Sequence, residues 1–366
     1  MKQRSVMAVA LIATLLSITA CLPAKAGARC RTTEWGQDKT HVLQCVNGRW
    51  KRVMTRQQAI DAIVAIHGAS HRPAPGDVVN PSTLGTPQVT NLADPTVFVE
   101  GATTYLYGTS NYRRLPVIAV GDVNNFSPSQ HAAEALGAPV PWASNAEIWA
   151  PTVSKIGGRY VAFFAAHRSG ADPSNAQCVG RAFAPSPTGP FIPDPGPFHC
   201  GNGGGALDPS IFHDHNGAAH LLLTMGGSNQ NLWSVPLDAN ANIAGNASLL
   251  LKREQPWQDW FLENPAMFFD GSTYLLAYSA GHWDRGSYMT GVARCASPAG
   301  PCTDAARPWL TSLGDREGPG GLEFFRGVDG VPRVAYQTYE AGRIGTVGMR
   351  HTHIRVLHTD PWPRLG

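Results

Sequence analysis

From about residue 90 onward the chain repeats one phrase: a short polar step onto proline, an apolar run, a glycine turn, then an aromatic-rich run. The five copies are LADPTVFVEG, IWAPTVSKIGG, LDPSIFHDHNG, ENPAMFFDG and EGPGGLEFFRG. Their prolines, Pro95, Pro151, Pro209, Pro265 and Pro319, stand 56, 58, 56 and 54 residues apart. After each glycine turn comes a strand-like run (TTYLYGTS, RYVAFFAAH, AAHLLLTMG, STYLLAYSAG, VPRVAYQTY) with no helical spacing of its apolar residues. A period of this length holds about four short strands, and one such unit cannot bury its own faces, so the repeats must pack radially. The sequence therefore predicts an all-β, five-bladed β-propeller over residues 88–366. The residue ahead of each proline is expected to be extended, because the proline ring crowds the helical region.

In a propeller the matching ends of the inner strands converge on the axis, so a polar residue repeated there meets its equivalents. Asp94 and Asp208 stand directly before their prolines, and Glu263 stands one position further out. Taken singly, an Asp-Pro step is a common turn opener and a strand-edge Glu is usually solvated. Three acids at corresponding places in a radial repeat favour chemistry instead. Paired carboxylates around a sugar-sized pocket suit glycosidic hydrolysis, one protonated to donate to the leaving oxygen and one ionised to activate water or attack. A third acid can raise the pKa of the one that must stay protonated. Trp149, beside the second inner strand, is the candidate aromatic platform for a sugar ring. Trp142, Trp233, Trp257, Trp260 and Trp283 are candidates for outer subsites, each weighed against packing between blades.

The ordered set ADPTV, WAPTV, LDPSIF and ENP, followed by YSAGHW, Tyr288, Gly291 and SPAGP, resembles glycoside hydrolase family 43 over roughly residues 88–350. Members of that family are five-bladed propellers that invert the anomeric centre. The resemblance implies that Asp94 is the general base, Glu263 the general acid, and Asp208 the residue that orients the acid and raises its pKa. It also points to Arg343, after the last aromatic strand, as an arginine reaching the pocket. The implied substrate is an oligosaccharide or polysaccharide, with α-L-arabinofuranosides or arabinans foremost and β-xylosides or galactans as alternatives. Two positions depart from the pattern: Gly321 stands where the family often has a His that helps hold a central metal, and Gln337 where another His is frequent. No cofactor is expected to be required, and a structural calcium is placed in doubt by Gly321. Leu207-Asp208-Pro209 and Glu263-Asn264 argue against the fructoside-cleaving propellers, which carry Arg-Asp-Pro and Glu-Cys there. A glycan-binding propeller without turnover is the rival of a different class.

The N terminus reads as an export leader over residues 1–26. Lys2 and Arg4 precede the uncharged apolar run Val6 to Ala20, too short for a comfortable membrane span. Ile18-Thr19-Ala20-Cys21 resembles a lipobox, with lipidation at Cys21, and competes with a small-x-small site at Ala24-Lys25-Ala26. The expected location is extracellular or the cell envelope. With Cys21 set aside, the remaining six cysteines fall into local pairs, Cys30 with Cys45, Cys178 with Cys200 and Cys295 with Cys302, one of 15 possible connectivities. Export favours disulfides over thiols or zinc. Residues 27–70 read as a small disulfide-closed hairpin with an Asn47-Gly48 turn, then a helix from Thr55 to about Gly68 opened by a Thr55/Gln58 capping box. Residues 71–87 read as a Pro-rich linker. The whole chain holds 29 Lys+Arg against 26 Asp+Glu. That balance asks for no nucleic acid and for a membrane only through the lipid, and the chain is expected to be a monomer.

Overall fold

In the computed structural model the described residues are 22–23, 25–30, 35–38, 40–55, 86–171, 176–201, 204–226, 230–312, 316–340, 342–345, 348–359 and 362–366. The leader through Cys21, the expected helix beyond Thr55 and most of the linker lie outside them. The chain divides into two compact units, Met1–Val78 and Val79–Gly366.

The first unit holds more than the expected hairpin. His41–Val46 and Arg49–Thr55 form that hairpin, and Trp35–Gln37 and Leu22–Pro23 extend it to four strands, the last pair parallel. Its turn places Asn47 at φ 53° and Gly48 at φ 73°, the paired positive φ that matches the twist of the flanking strands.

The second unit is five four-stranded antiparallel blades. Their inner strands are Thr96–Glu100, Trp149–Ile156, Ala206–His213, Leu262–Phe269 and Arg316–Arg326. The second strands, Thr103–Tyr107, Arg159–His167, Ala219–Met225, Tyr274–Ala280 and Pro332–Glu340, fall on the five aromatic-rich runs of the sequence. Alternation along each strand sends side chains to two neighbouring blades. In blade 3, Leu221 and Leu223 pack toward blade 2 while Leu222 packs toward blade 4. The core is accordingly five apolar clusters, one at each blade junction. The ring closes between blades 5 and 1, where Gln88 and Val89 bond to the Thr352 backbone and the Thr352 hydroxyl donates to the Leu92 carbonyl.

All three local cysteine pairs are bonded: Cys30–Cys45, Cys178–Cys200 and Cys295–Cys302. The last crosslinks residues that face each other in the outer hairpin of blade 4.

Two expectations about the axis need correction. The residues ahead of the prolines are left-handed rather than extended, with φ 48° at Asp94, 41° at Ala150, 52° at Asp208 and 49° at Asn264. In blades 2, 3 and 4 this residue and its proline form a bulge, two residues opposite one on the second strand. Proline fits a bulge because it has no N–H to offer an interrupted ladder. The fifth repeat is also displaced. Its matching bulge lies between Gly320 and Glu323, so Gly321-Leu322, not Gly318-Pro319, occupies the axial place. The structural spacings are then 56, 58, 56 and 57 from Asp94 to Gly321.

Candidate active site

The five axial positions wall one pocket, from Asp94-Pro95-Thr96, Ala150-Pro151, Asp208-Pro209-Ser210, Asn264-Pro265 and Gly321-Leu322-Glu323. Asp94, just ahead of its inner strand, and Asp208, in the bulge of blade 3, are 114 positions apart and line this common space. The cavity is ≈ 20 Å³, room for one or two waters and too small for a sugar ring.

Asp94 is fastened on four sides. Thr109 donates its hydroxyl to Oδ2, Arg350 donates from Nη1 to Oδ1 at 3.1 Å, and the Asp94 backbone N–H donates to Gln337 Oε1. Gly321 closes the fourth side, since a Cβ built there would stand 2.9 Å from Asp94 Oδ1 and 3.1 Å from Asp94 Cα. Thr109 also accepts from the Ala150 N–H, tying Asp94 to the neighbouring bulge.

Glu263 lies 8% exposed at the start of its inner strand and accepts a 2.7 Å hydrogen bond from the Tyr288 hydroxyl. Burial pushes its carboxyl up to about 7; the Tyr288 hydrogen bond opposes that rise, the charge of Asp94 adds to it, and Arg350 pulls it back. Asp208, 7% exposed, accepts from the Asn264 N–H at 3.1 Å. Burial and then the charges of Glu263 and Asp94 push its carboxyl well above the usual range. Repulsion between Asp208 and Glu263 is mutual, so the two titrate as a pair. Tyr288 lies within 2.7 Å of both Glu263 Oε1 and Asn264 Oδ1. A phenol carries one proton, so it can serve Glu263 when that acid is ionised and turn to Asn264 when the acid is protonated.

The pocket thus gathers Asp94 and Asp208, with Glu263 immediately before the wall residue Asn264. Trp149 adjoins Ala150 at the rim, half-buried, its ring edge-on to His167 at 4.7 Å. Arg343 does not join them: its side chain is 66% exposed and pairs with Glu340 at 3.7 Å. Arg350 holds that place, 18% exposed, between Asp94 and the face of Trp283, whose centroid is 5.2 Å away. Both arginines follow the second strand of blade 5, and the glycine-rich stretch between them carries no period from which a register could be read. The one signal for Arg350 was its position directly before the strand His351–His358. Of the outer tryptophans, Trp142 stacks on Phe164 and Trp257 on Tyr278, which makes them packing residues, and Trp233 is half-buried in the third strand of blade 3. Trp260 and Trp283 are 52% and 41% exposed.

A calcium ion wants six to eight oxygen ligands. At the axis Gly321 offers no side chain, and the space where one would start is filled by Asp94 and Gln337. Among the described residues no group of three or more His, Cys, Asp or Glu is arranged to hold a metal. The residues present do not fit the ion.

Comparison with known proteins agrees with this architecture. The α-L-arabinofuranosidase from Lactobacillus brevis superposes with a TM-score of 0.67 at 19% identity, over 77% of this chain and 95% of that one. The α-L-arabinanase of Cellvibrio cellulosa superposes at 0.58 with 20% identity, over 75% and 95%. A Bacteroides ovatus protein described as a xylosidase/arabinosidase is 25% identical over 175 residues, 44% of this chain and 50% of that protein; the chain thus spans about half the length of this relative. The sequence profile of the glycosyl hydrolases family 43 matches residues 87–363, through all five blades and every acid of the site, and the chain belongs to that family.

Proposed function

We propose that the protein is an exported glycoside hydrolase that releases arabinofuranosyl residues or cuts arabinan, with inversion at the anomeric carbon. The observation that carries the reading is the opposed state of two acids at one pocket mouth. Glu263 is buried and raised to about 7, and Asp94 is ion-paired with Arg350. With a sugar at the mouth, Asp94 takes a proton from a water as the water oxygen bonds to the anomeric carbon. Glu263 gives its proton to the glycosidic oxygen as that bond breaks. Attack from the face opposite the leaving group yields the inverted hemiacetal. Asp208 holds the Asn264 backbone and, through mutual repulsion, keeps a proton on the pair. Trp149 and Trp283 are the rim surfaces on which the sugar ring stacks.

The arabinose assignment is supported by relatives described as arabinofuranosidase, arabinanase and xylosidase/arabinosidase. Export is supported by the three disulfides, which cytosolic thiol chemistry would oppose. The pairing of Leu22–Pro23 with Gly36–Gln37 keeps residues ahead of Ala26 within a sheet, which favours cleavage before Cys21. No metal is needed for any step.

The test is a panel of α-L-arabinofuranosyl, β-D-xylosyl and β-D-galactosyl substrates, with proton NMR of the first-formed anomer. Arabinoside turnover with an inverted product, lost in both Asp94→Ala and Glu263→Ala, is expected. A retained anomer would sink the mechanism; preference for xylosides or galactosides would sink the substrate. Glycan binding by a parent that hydrolyses nothing would make this a binding propeller.

A further inference from the structure

The near-neutral charge of the whole chain conceals a division. Residues 22–55 hold seven Lys and Arg against Glu34 and Asp38, whereas residues 88–366 hold 18 Lys and Arg against 22 Asp and Glu. The excess cation therefore sits in the N-terminal unit. In the strand Arg49–Thr55, alternation puts Arg49 and Lys51 on one side and Trp50 and Arg52 on the other, up to a bulge at Val53 between the Arg52–Leu43 and Met54–Val42 pairs. The chain at Arg29 bridges to Arg49 in antiparallel register, which places those two side chains next to each other on the same side. Bonds from Gly27 to Trp50, Trp50 to Ala28 and Cys30 to Gly48 hold that register, and the Cys30–Cys45 disulfide pins the residue after Arg29.

Arg29, Arg49, Lys51 and Val53 are all exposed, as is Lys25 nearby in sequence. The acid that the structure describes here does not neutralise them: Asp38 pairs at 2.8 Å with Arg52, on the opposite face. Like charges directly opposite one another on a small sheet are destabilising, and two arginines beside a lysine repel unless an outside anion lies against them. A phosphate-bearing surface supplies such anions in a dense array. The sheet starts at Leu22, the residue after the candidate lipid-bearing cysteine, so the chain's own sequence sets this face close to a bilayer.

We propose that the face formed by Arg29, Arg49 and Lys51 docks on anionic phospholipid headgroups. Each cation near such a surface contributes about 1 kcal/mol of attraction, so the three together add a salt-sensitive attachment of their own. The N-terminal unit would then keep the propeller at the membrane surface. This inference is independent of which glycan the propeller cuts.

The experiment is cosedimentation of the full chain with vesicles of phosphatidylcholine alone and of phosphatidylcholine with a quarter phosphatidylglycerol, at 50 and 500 mM NaCl. The neutral vesicles measure whatever the leader or a lipid contributes. Binding to the anionic vesicles is expected to exceed that baseline and to fall to it at high salt. The triple variant R29Q/R49Q/K51Q is expected to lose about 100-fold of the excess, about fivefold for each cation. R29K/R49K, which keeps the charge, is expected to retain it, and glycoside turnover in solution is expected to be unchanged in both. Equal binding to the two vesicle types overturns the proposal, as does full binding by the triple variant. Binding to soluble polygalacturonate without binding to anionic vesicles assigns the face to an acidic polysaccharide and overturns it as well.

Discussion

Glu263→Gln is expected to abolish turnover and yet to make the protein more stable at alkaline pH. The carboxyl titrates at its ordinary 4.5 in the unfolded chain and at about 7 in the folded one. Between these values the folded state binds more protons than the unfolded state, so stability falls as pH rises, with the loss complete above the folded pKa. The 2.5-unit gap between those two values, at 1.36 kcal/mol per unit, corresponds to a penalty of order 3 kcal/mol at pH 8. Glutamine keeps the shape and an acceptor for the Tyr288 hydroxyl, but carries no charge to bury. At about 2 °C per kcal/mol for a domain of this size, the variant should melt about 5 °C higher than the parent at pH 8. The two should converge below pH 4.5. Differential scanning calorimetry from pH 4 to 9 reads this directly. A constant offset between the two proteins, or an advantage that grows toward acid, would refute the assignment of a buried, proton-holding acid at Glu263.

Tyr288→Phe removes the one hydrogen bond that lowers the pKa of Glu263, while Gly320 leaves the ring its space. The alkaline limb of the kcat/KM profile should move up by about one unit, the worth of a hydrogen bond to a charged group; an unmoved limb would count against the contact. Arg350→Ala should cost at least 100-fold in kcat/KM by freeing Asp94, whereas Arg343→Ala should stay within about twofold, and steady-state kinetics on an aryl arabinoside separates them. Gly321→Ala places a Cβ 2.9 Å from Asp94 Oδ1 on a residue with φ 57°. It should lower kcat at least tenfold by displacing the base, with the alkaline limb set by Glu263 unchanged.

Much of this fold was legible because the repeat is written in residues whose backbone demands are strong. Four X-Pro steps marked four axial positions, and the glycine turns delimited the second strands to within a few residues. The fifth repeat misled for the same reason. Gly318-Pro319 has the right dipeptide, but the blade carries two irregularities, between Glu317 and Gly320 and between Gly320 and Glu323, and the axial one ends in Gly321-Leu322 without proline. Asp94, Asp208 and Glu263 could be found because their position along a strand fixes where they meet. Arg350 could not, and Tyr288 stood out only within the family resemblance and without a role, since both approach the pocket from other strands and loops, where distance in space has no regular relation to distance in sequence. The charge division was hidden for a simpler reason: summing over the chain cancels a basic unit against an acidic one.

The left-handed backbone at the axis bears on how the site evolved its precision. Holding a non-glycine residue there costs about 1 kcal/mol or more, and strain of this kind is commonly read as a mark of function. Ala150 adopts φ 41° and Gly321 φ 57° at the same place in their blades, yet neither offers a group for acid or base chemistry. The strain therefore belongs to the blade, which needs a bulge to bring its inner strand to the crowded axis. Chemistry then uses a geometry already imposed. The five axial positions line the same small space, and at the four bulges the backbone cannot relax without disturbing a blade. On this view Asp94 and Asp208 owe their fixed aim to packing at the five blade junctions. What distinguishes the blades of Asp94 and Asp208 is the identity of one residue, together with the contacts that hold each acid in place, Thr109 and Arg350 on Asp94 and the Asn264 N–H on Asp208.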